Sequence, residues 1–326
     1  MADGAPLIGI DLGGTNIQVG VVRPGAATVK DAVLGGAKKK TKADQGLDAI
    51  LDRLGEGVNA ACQDAGVTLA DIAAIGIGAP GVIDPAEGVV VEAVNLRWND
   101  VPLARLLGER LGKPVVVDND VNVALWGERA LGAAVGHEEV LGVWMGTGVG
   151  GALILGGRLY EGHWKSAGEI GHMVILPGNP PGSRTFEQNC SRTAVVDAMV
   201  RLIRSNRKSV LTDLCGGQFS KVKSRTIGRA LEMEDALTVE VVEHTAELVG
   251  IVAANIVTML SLPLVVLGGG LTESLGQRFV DLVQRALRDN AFPARCREAR
   301  VVASALRDEA GVVGAAMVAA ERIGAA

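Results

Sequence analysis

The chain has 326 residues, 48% hydrophobic, 21% charged and only 3% aromatic, with 44 glycines and a net charge of −5. That length holds two domains of ordinary size, and the composition is that of a globular α/β protein rather than a disordered or fibrous one. The negative balance disfavours a nucleic-acid partner, so a small anionic ligand would need local backbone N–H groups or a metal. Cys62, Cys190, Cys215 and Cys296 are scattered, form no CxxC pair and suggest no disulfide framework. The start, "MADGAPLIGID", lacks the basic, apolar and cleavage regions of a secretory leader, and a cytoplasmic location is expected.

In chain order, "LIGIDLGGTNIQVGVV" predicts a β-hairpin turning on Gly13-Gly14-Thr15-Asn16. Ile50, Leu51 and Leu54 predict a helix over residues 46–65. "AAIGIGAPG" is a strand running into a Gly/Pro loop, and "LARLLGERLG" a short helix stopped by Gly112 and Pro114. "PVVVDND" is the next strand and "VNVALWGERALGA" the following helix. The plan then restarts with "EVLGVWMGTGVGGALILGGRLY", again strand, glycine turn and strand. Residues 205–224 are polar enough for an exposed excursion, and helices are expected from Thr238. Residues 248–271 carry no charge and could span a bilayer by length, but Asn255 and Pro263 interrupt them. A buried helix followed by the buried strand "PLVVLGGGL" is the preferred reading, and "EAGVVGAAMVAAERI" closes the chain as a helix.

Three glycine segments follow strands: Gly13-Gly14, Gly146-Thr147-Gly148 and Gly268-Gly269-Gly270. Such turns allow close backbone approach and expose N–H groups that can cradle a phosphate, although any one alone could be a plain chain reversal. "GTGVGG" formally matches the dinucleotide pattern, but strand-like "ALILGGRLY" follows it where that motif needs a helix. No P-loop sequence is present. In "VVVDND", Asp118, Asn119 and Asp120 stand where a strand ends. They could cap a helix, or they could work at the carboxyl end of a sheet, where open α/β folds hold ligands. On an extended chain Asp118 and Asp120 would point the same way, so spacing does not choose between them.

The ordered set of motifs resembles the ROK family (repressor, open reading frame, kinase) among the actin-like sugar kinases. "IDLGGTNIQVGVV" is similar to its first phosphate segment, "GAPGVID" with "NLRW" to its sugar-side loop, and "VVVDNDVNVALWGE" to its catalytic segment. "GTGVGGALILGGRLYEG" resembles the second phosphate segment, "AGEIGHM" the signature after it, "PLVVLGGGL" the adenosine segment and "AGVVGAA" the closing helix. The resemblance implies two actin-like (ribonuclease H-like) domains, residues 1–124 with 309–326 and residues 125–308, and a cleft in which ATP and Mg²⁺ bind opposite a hexose. It implies that Asp120, paired with Asn119, is the general base and that Asp118 supports it. Asp11 would help hold Mg²⁺. Gly13, Gly14, Thr15, Asn16, Gly146, Thr147 and Gly148 would serve the phosphates, and Gly269 and Gly270 the adenosine. Pro80, Gly81, Asn95, Asn119, Asp120, Glu169, His172 and Glu187 would contact the sugar.

One segment departs from the family. There "GEIGH" precedes three cysteines that, with the histidine, hold a structural zinc. Here the stretch reads "GNPPGSRTFE", with Gly178, Pro180 and Thr185 in the cysteine positions. None is a zinc-ligand type, and neither Cys190 nor His163 stands at ligand spacing, so no zinc is expected. The implied activity is ATP-dependent phosphorylation of glucose to glucose 6-phosphate by a homodimer without nucleic-acid or membrane partners. Fructose, mannose or an N-acetylated amino sugar are alternative substrates, polyphosphate is an alternative donor, and a non-catalytic sugar sensor is the alternative class. The first motif begins at Leu7, which leaves no room for a repressor's DNA-reading domain, and that class is not expected.

Overall fold

The computed structural model describes residues 4–324; the first three residues of the start read for a leader, and the last two of the expected first domain, lie outside the described residues. The chain divides into two compact units. The first takes the chain up to Gly136, then Leu159–Ala167 and the chain from Asp308 onward; the second takes His137–Arg158 and Gly168–Arg307.

In the first unit the elements are β1 (Leu7–Leu12), β2 (Asn16–Val22), α1 (Val29–Ala32), β3 (Val33–Lys40), α2 (Leu47–Asp64), β4 (Ile75–Ala79), β5 (Val82–Asp84), β6 (Val89–Ala93), β7 (Trp98–Val101), α3 (Leu103–Leu111), β8 (Val115–Asn119) and α4 (Asp120–Leu131). The main sheet has the order β3-β2-β1-β4-β8, and β5, β6 and β7 form a small second sheet. β1 pairs antiparallel with β2 and parallel with β4, which pairs parallel with β8. Ile8, Ile10, Ile75 and Ile77 share a buried cluster with Ile50, Leu51, Leu54 and Val58 of α2 and with Leu103 and Leu107 of α3. The expected boundary after residue 124 falls inside α4, a single continuous helix, so the unit runs on to Gly136.

The second unit contains β9 (Val140–Met145), β10 (Val149–Leu155), β11 (Arg158–Leu159, whose second residue is counted with the first unit), α5 (Phe186–Cys190), α6 (Arg192–Arg204), α7 (Leu211–Leu214), α8 (Ser224–Glu232), α9 (Ala236–Leu260), β12 (Leu264–Gly268), α10 (Gly269–Asn290, interrupted at Gly276) and β13 (Arg300–Ala303). Its sheet has the order β11-β10-β9-β12-β13. β9 pairs antiparallel with β10 and parallel with β12, as β1 does with β2 and β4, so the strand plan that the sequence repeats is repeated in topology. "ALILGGRLY" is strand, not helix, as the rejection of the dinucleotide motif requires. The uncharged stretch is helix and then strand, and the core of this unit includes Val249, Val252, Ala253 and Val257 of α9 with Val265 and Leu267 of β12. The polar excursion is tied down more than its composition suggests, because Leu211 and Val222 are buried in that core. Helix resumes earlier than expected, with α8 and then α9 before Thr238.

The last helix, α11 (Ala310–Gly324), returns to the first unit. It packs on β1, β4 and α4. A β-carbon added at Gly9 would lie 1.8 Å from the Val312 carbonyl oxygen, one at Gly76 1.8 Å from that of Ala315, and one at Gly314 1.6 Å from that of Val123. The glycines that alternate with isoleucine in "IGID" and "IGIG" are therefore the face on which a helix backbone rests. No side chain fits at those distances.

Candidate active site

Strand β8 delivers the acidic triplet. Asp118 faces inward and is 1% exposed. Its carboxylate accepts from the Asn119 N–H at 2.7 Å, from Asn122 Nδ2 at 2.8 Å and from Arg322 Nη2. Burial pushes the Asp118 carboxyl above its ordinary value, and Arg322, Asn122 and the Asn119 N–H pull against that push. Asn119 is the N-cap of α4: its Oδ1 accepts from the N–H groups of Val121 and Asn122 at 2.8 and 3.2 Å, and its Nδ2 donates to the Gly81 carbonyl at 3.0 Å. Asp120 is the first residue of α4 and accepts from the Val121 N–H at 2.9 Å. The expectation that Asp118 and Asp120 point alike fails because the strand ends at Asn119 and the alternation ends with it. The triplet divides into Asn119 as cap, Asp118 as a buried, hydrogen-bonded carboxylate and Asp120, the expected base, at the positive end of a helix.

Gly81 has φ +95, and a β-carbon there would lie 2.0 Å from the Glu92 carbonyl oxygen, so the Pro80-Gly81 turn admits no larger residue. The first glycine turn lies in the same unit. Gly13 donates its N–H to the Asn16 carbonyl at 2.9 Å, while Thr41 donates its hydroxyl to the Gly13 carbonyl at 2.6 Å. Gly14, Thr15 and Asn16 are exposed beyond that closure, and Asn95 stands 3.4 Å from where a Gly14 β-carbon would be. Lys40 holds Asn16 Oδ1 at 2.8 Å. Asp11, on β1, has its carboxylate against Gly311 at the start of α11, about 3.0 Å from where a β-carbon would lie. Its carboxyl is pushed up to about 6, mainly by burial and then by Asp308, with Lys38 opposing. A half-buried carboxylate beside a second one is a setting in which a cation is favoured, and Mg²⁺ needs only one or two such groups when phosphates and water complete its shell.

In the second unit, the turn between β9 and β10 is closed by the Gly146 N–H on the Gly148 carbonyl at 2.9 Å. The start of α6 grips it: Arg192 donates its N–H to the Gly146 carbonyl at 3.0 Å and Nη2 to the Thr147 hydroxyl at 3.1 Å. Glu187, on α5, accepts from the Val149 N–H at 2.8 Å, and its carboxylate would be 2.3 Å from a Gly148 β-carbon. His172 Nε2 lies 3.8 Å from Glu169 Oε2, with the His172 side chain 77% exposed. Burial raises the Glu169 carboxyl, His172 lowers it and Glu187 raises it again, so the three expected sugar contacts form one electrostatic group. A cavity of about 900 Å³ is lined by Leu267, Thr272, Arg225, Arg229 and Arg307 among others. Gly269 and Gly270 start α10 beside that wall, and Gly269 has φ +86 with the Met145 backbone pressed on it.

The first unit thus gathers Asp11, Gly14, Thr15 and Asn95, with Pro80, Gly81, Asn119 and Asp120 at the neighbouring strand ends. The second gathers Gly146, Thr147, Gly148, Glu169, His172 and Glu187. Sequence reading missed Arg192, Arg225 and Arg322, because a lone basic residue carries no motif, and Lys38, because it opens a lysine run that reads as a solvated surface. Two units of one strand plan, each with a glycine turn between its first two strands, define the actin-like ATPase fold. The chain belongs to the ROK family, which matches residues 7–322. It is 31% identical to the glucokinase of Streptomyces coelicolor over 321 residues, covering 96% of this chain and 97% of that one. It is similar to the crystal structure of a ROK family glucokinase from Streptomyces griseus in complex with glucose and AMPPNP, with a TM-score of 0.85, 30% identity and coverage of 97% and 99%. The ROK hexokinase of Thermus thermophilus gives a TM-score of 0.77 at 30% identity, covering 98% of this chain and all of that one (100%).

Proposed function

We propose that this chain transfers the γ-phosphoryl group of ATP to a hexose, converting glucose to glucose 6-phosphate. The observation that carries the reading is Asp120, held at the start of α4 by a cap whose other end is locked to Gly81. The similarity to glucokinases and to a structure holding glucose and AMPPNP supports the choice of sugar and donor. Asp120 takes the proton of the sugar hydroxyl as its oxygen bonds to the γ-phosphorus. The bond from that phosphorus to the β–γ bridging oxygen breaks, and ADP leaves. Such transfer needs positioning and charge neutralisation more than covalent help. The glycine turns supply N–H groups, Thr147 and Arg192 supply polar and positive groups at the second turn, and Lys38 supplies positive charge toward Asp11. Asp11 is the residue that would hold Mg²⁺, whose contribution is neutralisation of phosphate charge. Glu169 and Glu187 accept from sugar hydroxyls, and His172 both accepts and donates.

A homodimer in the cytoplasm belongs to the same proposal and is supported by the family resemblance; light scattering tests the assembly. The activity is tested with a panel of hexoses and Mg-ATP, read by ADP release, with glucose expected to be turned over fastest. No ADP release with any sugar sinks the kinase reading, and glucose still raising the melting temperature would then mark a sensor.

A further inference from the structure

The donors along residues 172–190 do not fit zinc. Gly178 and Pro180 offer no side-chain ligand, and the Thr185 hydroxyl already caps α5 by accepting from the Gln188 N–H at 3.3 Å. Cys190 is 0% exposed in the core, and burial pushes its thiol well above the usual range. The described residues hold no group of three His, Cys, Asp or Glu suited to a metal ion.

A different device closes this loop. Its neck is the pairing of Val174 with Thr185 and the Phe186 N–H on the Met173 carbonyl at 2.9 Å. His172 lies just before the neck and Glu187 just after it. Gln188 uses its side-chain oxygen alone, accepting from the N–H groups of Arg184 and Thr185 at 2.9 and 3.1 Å. Asn189 uses its side-chain nitrogen alone, donating to the carbonyls of Ser183 and Thr185 at 3.1 and 2.7 Å. Within the loop, Asn179 Nδ2 reaches the Ser183 carbonyl at 3.1 Å and Arg184 Nε the Asn179 carbonyl at 2.5 Å. Gln188 and Asn189 directly follow Glu187 in turn on a helix of only five residues, Phe186–Cys190. So short a helix has no intrinsic stability, and what clips the loop to it also sets where Glu187 points.

We infer that Gln188 and Asn189 are positioning residues that clip residues 176–185 onto α5 and so hold Glu187 for the sugar, without metal. The sugar role of Glu187 rests on the kinase reading; the clip itself does not. The two amides have opposite duties, which gives the test its discrimination. Gln188→Glu keeps the oxygen acceptor, and glutamate serves equally in a capping box. Gln188→Ala loses the acceptor. Asn189→Asp keeps the shape and loses the donor.

Proteolysis and kinetics are compared in the four proteins. Trypsin cleavage after Arg184 reports the clip with no sugar present. It is expected to quicken in Gln188→Ala and Asn189→Asp and to stay at the wild-type rate in Gln188→Glu. The KM for glucose is expected to rise by roughly five- to tenfold in the same two variants, about what one lost hydrogen bond is worth. The KM for ATP and kcat should hold, and Gln188→Glu should rescue. Zinc content is expected to stay far below one per chain, with the melting temperature unmoved by a chelator. Unchanged cleavage in both loss variants, failure of Gln188→Glu to rescue, or stoichiometric zinc overturns the clip. A wild-type protein inactive on every sugar, with the cleavage pattern as expected, removes only the Glu187 role.

Discussion

Arg322, near the end of α11, sets its guanidinium on the buried carboxylate of Asp118, two residues before Asp120. The same Nη2 reaches Glu161 Oε1 at 3.1 Å, and Glu161 in turn accepts from Lys165 at 2.9 Å. One cation therefore ties the strand end that carries the candidate base to residues 159–167. Replacing it as Arg322→Met leaves Asp118 buried without its charge partner, a loss of about 3 kcal/mol or more for a broken buried pair. A clear fall in melting temperature is expected, and Asp118→Asn added to Arg322→Met should recover part of it. A single mutant as stable as wild type would show that the pair does not hold the strand end.

Asp120→Asn should abolish turnover while leaving the fold and glucose binding close to wild type. Losing a positioned base costs about 10²–10⁴-fold. Asparagine keeps an oxygen for the Val121 N–H that Asp120 shares with the Asn119 cap, and the hydrogen bonds of Asp118 do not involve Asp120. Purified protein is assayed for ADP release and for the thermal shift with glucose. Near-normal turnover would remove Asp120 from the chemistry.

Asp11 gives the pH dependence a sign. Before a cation binds, its carboxyl is pushed up to about 6 and is protonated below that pH, so kcat/KM, which reports the free enzyme, should fall as pH falls through about 6. Asp308→Asn removes the like charge and moves the acid limb to lower pH; Lys38→Met removes the opposing cation and moves it higher. For stability the direction is reversed. The native state holds this proton more tightly than the unfolded chain, whose carboxyl titrates near 3.8, so its stabilising share is lost as pH rises from there through about 6. A pH–rate profile and melting temperatures across the same range test both.

Gly148→Ala tests whether the turn proposed to hold phosphate and the carboxylate proposed to hold sugar are one structure. A methyl group there meets Glu187 Oε2 at 2.3 Å and must displace it from the Val149 N–H. The KM for glucose should rise together with that for ATP. Combined with Glu187→Gln, the effects should fall short of additive by more than about 0.5 kcal/mol, the mark of residues in contact. Additive effects would separate the two.

What could be read from the sequence was local. The hairpin, α2, α3, β8 and both glycine turns follow from periodicity and turn residues close together in the chain. The small sheet of β5, β6 and β7 was not legible, because its strands are short and "VEAVNLRWNDV" mixes charged residues with apolar ones at no steady period. Strand β3 was hidden for a similar reason: "GGAKKK" looks like a solvated run, yet each of its residues pairs with one of β2 at the sheet edge. The site was legible where motifs carry it and opaque where the partner is distant. Nothing near Asp118 announces Arg322, 204 residues away, and a capping asparagine reads the same whether or not its amide also locks a glycine loop.

The helix that rests on Gly9 and Gly76 has a consequence for how the chain is made. The strands of the first sheet leave the ribosome early, while α11, which covers their glycine face, is synthesised last of all the described helices. Between them comes the second unit, whose sheet and helices are complete once Arg307 has emerged. Vectorial synthesis therefore lets the later unit close first and keeps the earlier one waiting, its glycine face bare of helix, until residues 310–324 arrive. Chains truncated at Arg307 and released from the ribosome should show protease protection in residues 168–307 while the strands of residues 7–119 have none. The first unit to be translated is then the last to be finished.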